Sequence, residues 1–285
     1  MKSKRLGSEI IRLALPATIE NIFQTLVGFF DTLLIAQLGL VAVTAVGLAN
    51  TILNVYLAVF LAIGVGGTAL IARSLGAGQK EKARQYARQT QELSIAGGIV
   101  FGFISIFFGR WMLQAMGASG SALEDAQVFF YWVGGFSLLH ASMTSLGTIL
   151  RATGDTVTPM KVGIITNVTN VLLDYFLIFG FGSWDGLGIL GTALGTIFAR
   201  LLGCYLLTRE VQKSELALSF QKSRLRKDYQ ELVHLTIPAA LERLVMRLGQ
   251  VIYFSLIVAL GTNVYASHMI AGNIESFTYM PAYGL

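Results

Sequence analysis

Charge is scarce in this 285-residue sequence: 13% of its residues are Asp, Glu, Lys or Arg, about half the ~25% of an ordinary soluble domain. That excludes a soluble globular chain. There is one cysteine, Cys204, so neither a disulfide framework nor a cysteine-based metal centre is available. No HExxH stretch, GxSxG elbow or cysteine–histidine pair placed for nucleophilic attack is found; these would be the marks of an intramembrane enzyme. No ATP-binding motif is found either. What remains is apolar: 54% hydrophobic residues, a further 31 glycines and a mean hydropathy of +0.64. The chain reads as an all-α polytopic membrane protein with the lipid bilayer as its main partner. Its net charge of +5 does not imply nucleic acid, because the basic residues are spread between hydrophobic runs, where they report topology.

Seven hydrophobic spans and part of an eighth are expected, near 13–38, 45–72, 91–115, 126–150, 162–182, 188–208, 231–260 and 265–285. The run after the basic start Met1-Lys2-Ser3-Lys4-Arg5 is too long for a signal-peptide core and is expected to stay as the first helix. Counted by side, eighteen of the 21 Lys and Arg fall in one set of connections, Arg200 among them, and Arg110 alone in the other. Arg243 and Arg247 lie within the seventh span. This bias predicts a cytoplasmic N-terminus in the cell membrane.

The sequence also matches itself. Leu13-Ala14-Leu15-Pro16-Ala17-Thr18-Ile19-Glu20 aligns with Leu235-Thr236-Ile237-Pro238-Ala239-Ala240-Leu241-Glu242, 222 positions on. Six spans separate the copies, so both enter from the same side, as in a parallel repeat. The expected division is a six-helix N-terminal lobe over 1–208, a cytoplasmic linker over 209–230 and the start of a second lobe over 231–285. Completed, the repeat would need ~440 residues, so the chain is expected to be a fragment or a truncated gene product.

In the first span, Asp31 sits several residues inside the exit end, where a carboxylate costs ~2.5–3.5 kcal/mol. Glu20, Gln24 and Asp31 fall within ~40° of one another on a helix, with Gly28 beside them. Such a stripe faces protein or water and reads as the working edge of a solute transporter.

Several motifs, in order, carry a resemblance. Pro16 is followed by Phe30-Asp31-Thr32 and Leu38-Gly39; then come Ala72-Arg73-Ser74-Leu75-Gly76-Ala77-Gly78, Leu150-Arg151-Ala152-Thr153-Gly154-Asp155-Thr156-Val157-Thr158-Pro159 and Asn170-Val171-Leu172-Leu173-Asp174. The chain resembles the multidrug and toxic compound extrusion (MATE) transporters, in the prokaryotic branch related to the DNA-damage-inducible F proteins. The resemblance implies two six-helix lobes, a monomer when full length, exporting small organic, often cationic compounds in exchange for H+ or Na+. It also implies an N-lobe cation site at Asp31, Asn170 and Asp174, with Thr192 as a further member. Many relatives have a glutamate eight residues after the proline of span seven, where this chain has Met246. The acid stands at Glu242 instead, the candidate for C-lobe coupling, and the departure favours an N-lobe mechanism.

Physically, Gly163, Asn167, Asn170 and Asp174 share one face within ~60°. Amides and a carboxylate suit a hard cation such as Na+, and the carboxylate could equally take a proton. No cofactor and no other metal is expected. Two acids in one lobe repel, and a proton, a sodium ion or a cationic solute would each relieve that repulsion. The alternatives are a lipid-linked oligosaccharide flippase, expected to line its cavity with Arg and Lys, a non-transporting membrane protein and an intramembrane enzyme. Arg243 and Arg247 are assigned Glu242 or Glu20 as partners. Gly191, Gly195, Ala199 and Gly203 form a packing stripe, and His140, His234 and His268 read as packing residues. Trp111, Trp132 and Trp184 are placed at outer interfaces, and Pro16 and Pro238 at helix entries.

Overall fold

The computed structural model describes residues 2–181, 184–217 and 229–259. Over them the chain forms α1 (Lys2–Ala36), α2 (Leu40–Gly76), α3 (Lys80–Ala115), α4 (Gly120–Gly135), α5 (Ser137–Ala152), α6 (Val157–Phe179), α7 (Ile189–Lys213) and α8 (Tyr229–Ala259). One antiparallel pair, β1 (Gly180–Phe181) with β2 (Trp184–Asp185), turns the chain between α6 and α7.

Helices α1 (from Thr18), α2, α3, α6 and α7 are long and apolar enough to cross a membrane, and α4 with α5 makes a sixth span bent by 47°. These are the six helices of an N-terminal lobe. Over the expected seventh span α8 forms as one helix, but it carries Glu242, Arg243 and Arg247 and is not among those six. The expected eighth span, with His268, lies outside the described residues.

Two of the motifs quoted above are helix stops. After α2, Gly78 takes φ +73°, which lets the Gln79 N–H reach Ser74 O and the Gly78 N–H reach Leu75 O, both at 2.9 Å. After α5, Gly154 at φ +89° does the same for Leu150 O and Arg151 O. Only a residue without Cβ adopts this left-handed turn cheaply. Asp155 then accepts the Thr158 N–H at 2.9 Å, capping α6, with Pro159 harmless in its first turn.

Span four is broken where the sequence reading made it continuous. Gly134 and Gly135 supply no side chains there, and α3 packs closely on the break. A Cβ on Gly102 would stand 2.6 Å from Gly135 O, and one on Gly98 2.5 Å from Leu138 Cα. Trp132 lies one turn before the break and stacks on Phe136. Pro16 and Pro238 lie inside α1 and α8 rather than at their entries. Each removes one helical hydrogen bond.

Two apolar layers hold the lobe together. Ile35, Tyr56, Phe60, Phe130 and Val133 belong to one, and Ile71, Leu146, Ile149, Leu207 and Leu232 to the other. On the outside, α3 exposes Phe103, Phe107, Phe108 and Trp111, as a lipid-facing helix does.

Candidate functional site

Three helices, α1, α6 and α7, bring the expected residues together. Asp174 is 1% exposed, in the last third of α6. Its carboxylate sits where a side chain at residue 195 would otherwise stand: a Cβ on Gly195 would overlap Asp174 Oδ1. The Asn170 amide lies beside Asp174 and the Asp31 carboxylate is within electrostatic reach of it. Thr192, 3% exposed, stands one turn before Gly195 on α7.

Four buried polar atoms in this group have no hydrogen-bond partner: Asp31 Oδ1, Asn170 Nδ2, Asp174 Oδ1 and Thr192 Oγ1. Buried polar atoms are paired in the great majority of proteins, and each orphan costs ~1–3 kcal/mol. A cluster of them, three able to accept, is a cradle for a proton or a hard cation. Among the described residues, no group of three or more His, Cys, Asp or Glu is placed to hold a metal ion. The donors that would serve sodium here include an amide and a hydroxyl as well as acids.

The remaining expected residues lie elsewhere. Asn167 is half-buried on α6, about one turn below Asn170. Glu20 and Gln24 line a separate cavity of about 420 Å3 together with His140 and Arg151. Glu20 is paired there, with Arg151 Nη1 at 3.2 Å from its Oε2. This replaces the expected pairing of Glu20 with Arg243 or Arg247: α5 ends against the same cavity, whereas α8 packs on α2 and α3. Glu242 is exposed on α8 and is not brought to the three-helix site.

The glycine stripe works as expected. Gly191 receives the Leu177 carbonyl and Gly195 the Asp174 carboxylate, and a Cβ on Gly203 would stand 2.8 Å from Thr166 Oγ1. Arg200 was misplaced. Counted among the cytoplasmic charges, it in fact lies eleven residues after Ile189 and thirteen before Lys213, at mid-helix. The signal was already in the sequence, since the expected span 188–208 encloses position 200.

The MatE family description matches residues 16–176. The chain is 32% identical, over 98% of its length, to a probable multidrug resistance protein NorM of Thermotoga maritima, and covers 61% of that protein. It is 27% identical over 96% of its length to an FAD transporter of Shewanella oneidensis, again covering 61%. In fold it matches a MOP superfamily transporter from Pyrococcus furiosus with TM-score 0.89 at 24% identity, over 97% of this chain and 61% of that one. A Vibrio cholerae MATE transporter mutant gives TM-score 0.91 at 23% identity, over 99% and 64%. The chain thus spans about three-fifths of the length of the relatives it matches. With more than half of its residues inside the family match, and six spans folded as in those transporters, the chain belongs to the MatE family.

Proposed function

We propose that the protein containing this chain is a secondary antiporter that exports organic, mainly cationic compounds in exchange for H+ or Na+ by alternating access. In this reading residues 1–208 form its N-terminal lobe, 209–230 a cytoplasmic linker and 231–285 the start of the second lobe. The N-terminus faces the cytoplasm, and the complete protein acts as a monomer in the cell membrane.

The observation that supports it is the set of unpartnered polar atoms on Asp31, Asn170, Asp174 and Thr192. Two carboxylates held among apolar helices need a counter-charge. A proton or sodium ion supplies it in one half of the cycle, and a cationic solute in the other, so each displaces the other. Asn167 extends the polar face, while Glu20 and Gln24 line the separate cavity. Glu242 has no part in the site proposed here. The energy suffices: one charge crossing 100 mV is worth ~2.3 kcal/mol, which holds roughly a fortyfold solute gradient at one-to-one coupling.

The test is ethidium export by the complete protein in vesicles, with pH and sodium gradients imposed separately. Asp31→Asn should abolish export while insertion stays intact. Retained export in that variant would overturn the exchange mechanism.

A further inference from the structure

Thr166, on α6, carries a buried hydroxyl that neither the cation site nor the packing uses. The residue is 4% exposed and its Oγ1 has no hydrogen-bond partner. A threonine inside a helix commonly donates to the carbonyl four residues back, and Thr90, Thr144, Thr148 and Thr196 all do so. Among the described residues, the buried threonine hydroxyls left unpaired are those of Thr166, Thr192 in the cation site and Thr236 on α8.

The Thr166 hydroxyl is turned towards α7. A Cβ on Gly203 would stand 2.8 Å from Thr166 Oγ1 and 2.9 Å from Met143 Sδ, so the hydroxyl and the thioether converge on one glycine. Met143 lines the cavity of about 420 Å3 that also holds Glu20. Thr166 thus stands behind a wall residue of that cavity. In the other direction it leads to the cation site. Gly203 faces Thr166 and Gly195 faces Asp174, eight residues apart on each helix, so the register sets Ala199, 1% exposed, opposite Asn170.

Along α6, Gly163, Thr166, Asn170 and Asp174 fall within ~80° of one another and rise in steps of ~4.5–6 Å. Glu20 rests on the first of them, its Oε1 3.3 Å from where a Gly163 Cβ would be. Steps of that size are ones a single bridging water covers. On the α7 side, Gly195, Ala199 and Gly203 bring no polar group that would compete for these side chains.

We propose that Thr166 is a second station for the coupling cation, which passes between the cavity and Asp174 along this face of α6, inside the lobe, with Met143 as the barrier at the cavity end. A hydroxyl both accepts from and donates to the waters that relay a proton, and its oxygen ligates sodium. Either coupling ion is therefore served. The assignment rests on the transporter reading and adds to it the inner route by which the ion site is loaded or emptied.

The experiment uses the complete protein in vesicles. Thr166→Val keeps the shape and removes a hydrogen bond to a charged species, so gradient-driven ethidium export should slow about tenfold or more. Ethidium binding, followed by fluorescence anisotropy, should change less than about twofold, and Thr166→Ser should restore most of the export rate. Met143→Ala removes the barrier. Asp174 is then open to both sides whenever the outer side is open, and an imposed gradient should collapse several-fold faster than in wild type with no ethidium present. Entrapped pyranine reads the pH gradient and radiosodium the sodium gradient, and the one that collapses identifies the ion. An undiminished export rate in Thr166→Val, a serine variant as slow as the valine one, equal loss of ethidium binding and export, or a Met143→Ala protein no leakier than wild type overturns the proposal. Should Thr166→Val not insert, the leak through Met143→Ala decides alone. Failure of the exporter reading shows up separately, as no ethidium export by the wild type under either gradient, whereas the leak is read without ethidium.

Discussion

Gly195→Ala is the sharpest perturbation of the cation site that leaves every charged residue in place. The new Cβ would overlap Asp174 Oδ1 and stand 3.2 Å from both Asp174 Cγ and the Asp174 backbone nitrogen. Ordinary van der Waals contact is 3.4–4 Å, so the oxygen must retreat by at least ~1 Å. Hard cations hold oxygen ligands at ~2.3–2.6 Å, with tolerances of ~0.2 Å. A retreat of that size takes Asp174 out of any ion's first layer of ligands.

The packing damage alone is about 1–3 kcal/mol, and a control separates it from the loss of the ligand. Gly191→Ala clashes as severely, but with the Leu177 backbone carbonyl of the same helix pair. Backbone cannot swing aside as a carboxylate can, so Gly191→Ala should lower the melting temperature at least as far as Gly195→Ala does. Gradient-driven ethidium export should be at least about tenfold lower in Gly195→Ala than in Gly191→Ala, since only the first displaces a charged ligand. Equal export from the two, at equal membrane insertion, would refute a role for the position of Asp174.

Gly98→Ala should destabilise the lobe by about 1–3 kcal/mol without touching either polar site, because its Cβ meets the Leu138 backbone at the break between α4 and α5; a melting temperature within a degree of wild type would contradict the packing. A double-mutant cycle on Glu20→Gln and Arg151→Gln should give a coupling of no more than about 1 kcal/mol, since both side chains keep a quarter to a third of their exposure. A coupling several times larger, measured by denaturation, would mean that the pair is far better shielded than its exposure suggests.

The lobe was legible where the sequence repeats a physical requirement. Apolar runs of bilayer length gave six spans, whereas the helix stops at Gly78 and Gly154, where a left-handed turn tolerates almost no other residue, emerge only from the structure. Asp31 and Asp174 stood out because an acid within a span is costly, and the structure does bring them together with Asn170 and Thr192. What composition could not reveal was pairing across the lobe. Glu20 lies on the same face as Asp31, yet its carboxylate finds Arg151, 131 residues away, because α5 ends beside α1. Arg200, by contrast, was misread. It was counted with the cytoplasmic charges that follow it, although it lies well inside the expected span 188–208 and at the middle of α7. The bend at Phe136 was hidden because Gly134-Gly135 sits in an otherwise unbroken apolar run, and only the approach of α3 explains it.

That bend has a mechanical consequence. Leu123 to Val133 of α4 belong to one apolar layer, and Leu146 to Ala152 of α5 to the other, so the joint falls near the seam between them. Helices α2, α3 and α7 run unbroken through both layers and tie them together, so the interruption loosens α4 and α5 alone, and amide exchange within that span is expected to be fastest beside Phe136.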